Sequence, residues 1–200
     1  MSEVICVEKD RIDFLLYAYF GGEKKPYLLA SKRAYRDLCR TLRFRGESGD
    51  KYRKVIDELI EDRIHSFITK GCTGQEQYDR MHESLCEDIV GYYRTSGVEF
   101  YIGHAQKWVN MTMKYLYILG GMDLSGVFNY LHIPLDKYVF SVVQDKLSIP
   151  RPCVTWSKIN DYALYFEYQQ KIRNCLAIPP IRWECSNWLD EASKQNELGD

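Results

Sequence analysis

Three groups of residues carry types and spacings that chemistry uses. The first lies in the stretch Gly103-His104-Ala105-Gln106-Lys107-Trp108-Val109-Asn110-Met111-Thr112-Met113-Lys114-Tyr115-Leu116. Read at about 100° per residue, Ala105, Trp108, Val109, Thr112, Leu116 and Leu119 form an apolar stripe, and His104, Lys107, Asn110 and Lys114 share the other face. A lysine at the edge of so apolar a helix is desolvated, which favours the neutral, nucleophilic amine. The plainer alternative has both lysines snorkelling to water.

The second group is His132-Ile133-Pro134-Leu135-Asp136. Proline fixes the turn, and Asp136 falls in the first turn of a helix opened by Pro134, where the backbone dipole favours a carboxylate. It is either helix-start chemistry or a carboxylate aimed at a cleft. The third group is Arg33, Arg36, Arg40 and Arg43, spaced 3, 4 and 3. On one helix they fall within about 80° of a single face, opposite Tyr35, Leu38, Cys39 and Leu42. Guanidiniums suit bidentate phosphate contact. Arg45, Lys51, Arg53 and Lys54 extend the basic area. The alternative is a solvated face paired with acidic helices that follow.

The elements that must position these groups read as helices. They cover about 8–20, 31–45, 50–70, 75–94, 103–119, 134–147, 157–176 and 182–194, with a short segment at 125–131. Gly21-Gly22, Gly46, Gly71, Gly97 and Gly120-Gly121 punctuate them, and Ser31 is a plausible N-cap. Val4 to Val7 is the one candidate for a short strand. The expected architecture is all-α: a compact bundle of about eight helices in one domain over 1–200, with a frayed tail at 194–200.

Composition bounds the function classes. The chain has 200 residues, 46% hydrophobic and 14% aromatic, enough for a sizeable core. No apolar run reaches membrane-spanning length, and the acidic start is unlike a signal peptide, so a cytoplasmic protein with no membrane partner is expected. Net charge is −1, but eleven Lys or Arg face three acids from Lys24 to Lys54, and ten acids face four bases from Val55 to Phe100. These segments, +8 and −6, suit electrostatic partnership. The seven cysteines are widely spaced and odd in number. They read as reduced, mostly buried thiols rather than a disulfide framework or zinc site. His65 and His82 read as surface residues. Phosphate-loop, nucleophile-elbow and His-Glu-x2-His motifs are absent, and no cofactor or metal is expected.

The first two groups together resemble the core of the helix-hairpin-helix superfamily of base-excision DNA glycosylases. In that family a Gly-rich turn opens a helix that carries a nucleophilic Lys in bifunctional members, and an Asp follows in a Pro-x-Asp turn. Gly103, Lys107, Pro134 and Asp136 match those positions. The 29-residue gap from Lys107 to Asp136 is nearest the archaeal 8-oxoguanine branch. Only one glycine of the usual Gly-x-Gly is present. The resemblance implies that Lys107 attacks the sugar carbon to form a Schiff base, while Asp136 activates it or stabilises developing charge. It implies phosphate contacts at Gly103, Lys114 and the four arginines. It also implies a pocket for a flipped base made by His104, Trp108, Asn110 and His132, with Trp156 or Trp183 available for stacking. The alternative function is a non-enzymatic helical module that binds nucleic acid or a protein, in regulation or host–phage conflict.

Overall fold

The computed structural model describes residues 2–21, 25–44 and 49–197, with side chains over 9–21, 25–44 and 49–193. Eight α-helices follow one another: α1 (Ser2–Phe20), α2 (Pro26–Cys39), α3 (Asp50–Lys70), α4 (Gln75–Thr95), α5 (Ile102–Leu119), α6 (Lys137–Leu147), α7 (Tyr162–Asn174) and α8 (Pro180–Glu197). Short 3-10 turns lie at Phe128–Tyr130 and Trp156–Lys158. The described residues contain no strand, and Val4 to Val7 is helical. Gly22, Arg45 and Gly46, used above as punctuation and basic area, lie outside the described residues. The backbone of α8 is described to Glu197, and 198–200, at the end of the tail expected to fray, lie outside the described residues.

Helix α5 is the axis of the molecule. Every residue from Ile102 to Leu116 is buried, on the polar face as well as the apolar one. Helices α2, α4 and α7 and the 156–158 turn pack around it. Trp108 is fully buried with its ring 4.9 Å from that of Tyr35. Its indole N–H donates to Ser31 Oγ at 3.0 Å, and Ser31 donates to Asp57 on α3. Ser31 is therefore a core residue inside α2. The helix starts earlier, with Pro26 in its first turn, where proline's missing N–H costs nothing.

Three further boundaries differ from the expected ones. Helix α2 ends at Cys39, with Arg40 as its C-cap. Helix α6 starts at Lys137 rather than Pro134, because Asp136 is the N-cap: its Oδ1 accepts from the backbone N–H groups of Tyr138 and Val139, each at 2.9 Å. Helix α7 starts at Tyr162 because Asp161 caps it. The cysteines are less buried than expected. Cys86 is buried, Cys39, Cys72 and Cys185 are half-buried, and Cys153 and Cys175 are exposed, all as free thiols.

The segment 131–136 is extended and buried. It runs through the core without a neighbouring strand, so its peptide groups need other partners. Two glutamines supply them. Gln106 on α5 accepts from Leu135 N–H at 3.1 Å and donates to Leu135 C=O at 3.0 Å. Gln169 on α7 accepts from Ile133 N–H at 3.3 Å and donates to Ile133 C=O at 2.7 Å. Each carboxamide thus pairs with both the N–H and the C=O of one residue, as a neighbouring strand would. Gln169→Leu keeps the volume but orphans the buried Ile133 N–H, and it leaves Ile133 C=O with only the longer bond from Asn110 at 3.3 Å. Urea unfolding should show a loss of about 1–3 kcal/mol, and a loss within experimental error would refute the clamp.

Candidate functional site

The structure brings Lys107 and Asp136 together. Lys107 Nζ donates to Asp136 Oδ2 at 2.8 Å, with both residues buried. Asp136 reaches it because Oδ1 is committed to capping α6 and Oδ2 is left facing α5. Lys107 Nζ also lies 4.8 Å from the ring centroid of Trp156, a cation–π contact within a desolvated site. Trp156 therefore roofs the ion pair. Lys114, two turns further along α5, makes a second buried pair: its Nζ is 2.9 and 2.7 Å from the two carboxylate oxygens of Glu184 on α8. Burial raises the Glu184 carboxyl, and Lys114 opposes that shift. A lysine so held contacts no phosphate, so the nucleic-acid role expected of Lys114 is corrected: its head points into the protein.

Gly103 is corrected in the same way. Its N–H donates to Ile159 C=O at 2.8 Å, so it is not free for a phosphate. A Cβ here would stand 1.8 Å from the Trp156 carbonyl oxygen. Glycine is required because the 156–159 backbone crosses directly over the start of α5. Tyr101 and His104 complete that helix start as a capping box.

The four residues expected to form a base pocket are interior instead. His104, Trp108, Asn110 and His132 are each no more than 2% exposed. Asn110 accepts from His82 Nε2 at 3.0 Å and donates to Tyr165 Oη at 2.9 Å. Its amide also lies within reach of Gln106 and Ile133 C=O. His132 joins Tyr165 Oη at 2.9 Å through Nδ1 and Asp79 Oδ1 at 2.8 Å through Nε2. His82, expected at the surface, is fully buried and completes the network through Tyr162 at 2.8 Å. His65 is exposed, as expected. With both network histidines neutral the bonds run in one order: His132 donates to Asp79, Tyr165 to His132, Asn110 to Tyr165, His82 to Asn110 and Tyr162 to His82. These groups link α4, α5, α7 and the extended segment, and the network meets the surface at half-buried Asp79.

Sequence reasoning missed Asp79, His82, Gln106, Tyr165 and Gln169. The signal for His82 was present, since it shares the spacing of Tyr78, Leu85, Cys86 and Ile89 along the buried face of α4.

The arginines divide into two sets. Arg33 is half-buried, stacked 4.2 Å over the Tyr19 ring and 3.7 Å from Asp37. It is spent within the fold. Arg36 and Arg40 are exposed, and among the described residues neither guanidinium has a hydrogen bond or ion pair. The acidic helices do not neutralise them: Asp57 takes Arg53, and Asp88 takes Arg63. Arg43 lies beyond the end of α2, so the four do not form one helical stripe. Its Nη1 donates to the carbonyls of Arg40 and Leu42 at 3.2 Å each. It lines an open cleft of about 480 Å³ together with Arg94, Glu99, Tyr101 and Asn160.

Compared with protein-family models, curated proteins and solved structures, the chain matches none.

Burial holds the His82 and His132 imidazoles below their ordinary value and brings His104 down to about 4. The unfolded chain takes up these protons near pH 6.5 while the folded chain refuses them. Stability is thus unaffected by these groups above about pH 7 and falls as pH drops through 6.5. The slope is up to about 1.4 kcal/mol per pH unit for each imidazole kept neutral. Asp57 and Glu184, raised by burial, act oppositely at lower pH. Urea midpoints between pH 7.5 and 5.5 should decline in wild type and less steeply in His82→Asn; parallel curves would exclude His82 as a source.

Proposed function

We propose that the protein is a non-enzymatic helical module that binds nucleic acid through the phosphate backbone. One observation carries this reading. Arg36 and Arg40 are exposed cations without ionic partners among the described residues, beside an arginine-lined cleft, while Lys107 and Lys114 are each consumed by a buried carboxylate. Leaving guanidiniums unpaired on one edge provides ready phosphate contact and counterion release. The −6 segment thus takes up Arg53 of the +8 segment through Asp57 but leaves Arg36 and Arg40 unpaired.

The module should bind nucleic acid with a salt-dependent affinity measurable by fluorescence anisotropy. Arg36→Ala with Arg40→Ala should weaken binding across unrelated sequences and flatten the log–log salt slope by about 1.5–2, roughly one phosphate per arginine. An unchanged slope would remove these residues from the interface.

A glycosylase/lyase is the second reading, favoured by the 2.8 Å approach of Lys107 to Asp136. As a nucleophile, Lys107 would have to pass its proton to Asp136 and move from under Trp156. Borohydride trapping on duplexes containing an abasic site or 8-oxoguanine separates the two readings. The binding module predicts no adduct; a covalent adduct absent in Lys107→Ala would establish the lyase instead.

A further inference from the structure

The cleft beside the arginine edge has features that a flat phosphate-contacting surface does not need. We propose that it takes the phosphate monoester at the 5′ end of a nucleic-acid strand, clamped between Arg43 and Arg94. This rests on the nucleic-acid reading above and narrows it to strand ends.

The first argument is preorganisation. Arg43 leaves α2 at a turn, and its Nη1 is held by the carbonyls of Arg40 and Leu42. A guanidinium has five N–H donors in a fixed fork. With Nη1 occupied by the backbone, the Nη2 and Nε edge remains for a ligand, and its orientation is already fixed. Arg94 lies in the last turn of α4 and is exposed, and its guanidinium has no hydrogen bond or ion pair among the described residues. Both arginines line the same concavity.

The second argument is charge. Among the described residues that line the cleft, Glu99 is the one carboxylate, and it is already engaged: Tyr101 Oη donates to it at 2.5 Å and Lys158 Nζ lies 3.6 Å away. Two guanidiniums therefore remain for an anion. A phosphate monoester carries about −1.5 to −2 near neutral pH, whereas an internal phosphodiester carries one charge. The pair matches the terminal group. Asn160 is exposed on the same wall and adds a neutral donor.

The third argument is shape. Val98 and Phe100 line the cleft and are buried, closing it with apolar surface. Arg36 and Arg40 lie outside the lining of this open cleft, so a strand held along them can place its terminal group in it.

The test compares one short single strand, labelled at its 3′ end, carrying either a 5′-phosphate or a 5′-hydroxyl. Anisotropy is measured at fixed ionic strength, with 5′-AMP as a competitor. Wild type should bind the phosphorylated strand about tenfold more tightly. Arg94→Ala should bring the phosphorylated strand to the affinity of the hydroxyl strand. Arg36→Ala should weaken both by the same factor and keep their ratio. 5′-AMP should compete only weakly, because it lacks the strand that the arginine edge holds. Urea midpoints establish that each variant is folded, and Asn160→Ala, at an exposed position, provides a second cleft variant with a reduced ratio.

Equal binding of the two strands by wild type would overturn end recognition and leave the backbone-binding module standing. A preference that survives Arg94→Ala would overturn the clamp. Displacement by 5′-AMP as effective as by the strand itself would assign the cleft to a free nucleotide. Absence of binding to either strand would remove both this inference and the function on which it rests.

Discussion

The peptide units of Ile133 and Leu135 lie in the interior with no strand or helix to pair them. An unpaired buried peptide group costs as much as a typical hydrogen bond is worth, or more, so the core is organised around satisfying them. Gln106 and Gln169 approach from α5 and α7 and pair with one residue each. Asn110, one turn from Gln106, has its amide near the carbonyl of Ile133. These residues fix the rotation of α5 and α7 about their axes. Once α5 is so turned, its remaining polar residues face inward as well, and each needs a partner. His82, Tyr165 and His132 supply partners for one another and for Asn110, and Asp79 closes the network at its edge.

The two lysines of α5 follow from the same rotation. A buried ammonium without a counterion is far more costly than a buried pair. Lys107 meets Asp136, which the helix start already holds in place, and Lys114 meets Glu184. A buried pair adds little to net stability, because desolvation offsets the attraction. Its effect is on register. α6 and α8 can dock in one position only, where their carboxylates reach α5. The interior thereby consumes the cations of the central helix and leaves the arginines at the end of α2 as the unpaired positive charge.

Much of the fold was legible in single residues. Helix α3 starts at Asp50 and stops before Gly71, as its start and stop signals indicate. The number and class of elements follow from apolar spacing and glycine punctuation. Errors came where one residue had two possible local roles and tertiary contact chose between them. Ser31 has the chemistry of an N-cap, but Trp108 and Asp57 claim its hydroxyl. Pro134 can open a helix, but Asp136 caps it two residues later and leaves the proline in the extended segment. The Lys107 and Asp136 pairing was anticipated from motif types, and the two do meet. Desolvation of Lys107 was one of two readings, the other being a lysine that snorkels to water, because a helix polar on one face normally shows that face to water. The glutamine clamps were not legible at all: a glutamine aimed at a peptide unit 29 or 36 residues away has no signature in local sequence. The cleft was equally hidden, since it joins the end of α2 to the end of α4.

The clamps and pairs also set an order of assembly. Local turns of α2 to α5 can form early, but the buried polar face of α5 has nothing to meet until later chain arrives. Lys107 waits for a residue 29 positions on, and Lys114 for one 70 positions on. During synthesis at roughly 5–20 residues per second, that face spends several seconds as an amphipathic surface whose amides and ammoniums must stay hydrated. Its polarity then acts as a safeguard. A fully apolar α5 would pack as well in the finished molecule but would present a sticky helix throughout elongation. The polar core thus protects the nascent chain against premature collapse, and the docking of α8 onto Lys114 is the event that ends this hydrated interval.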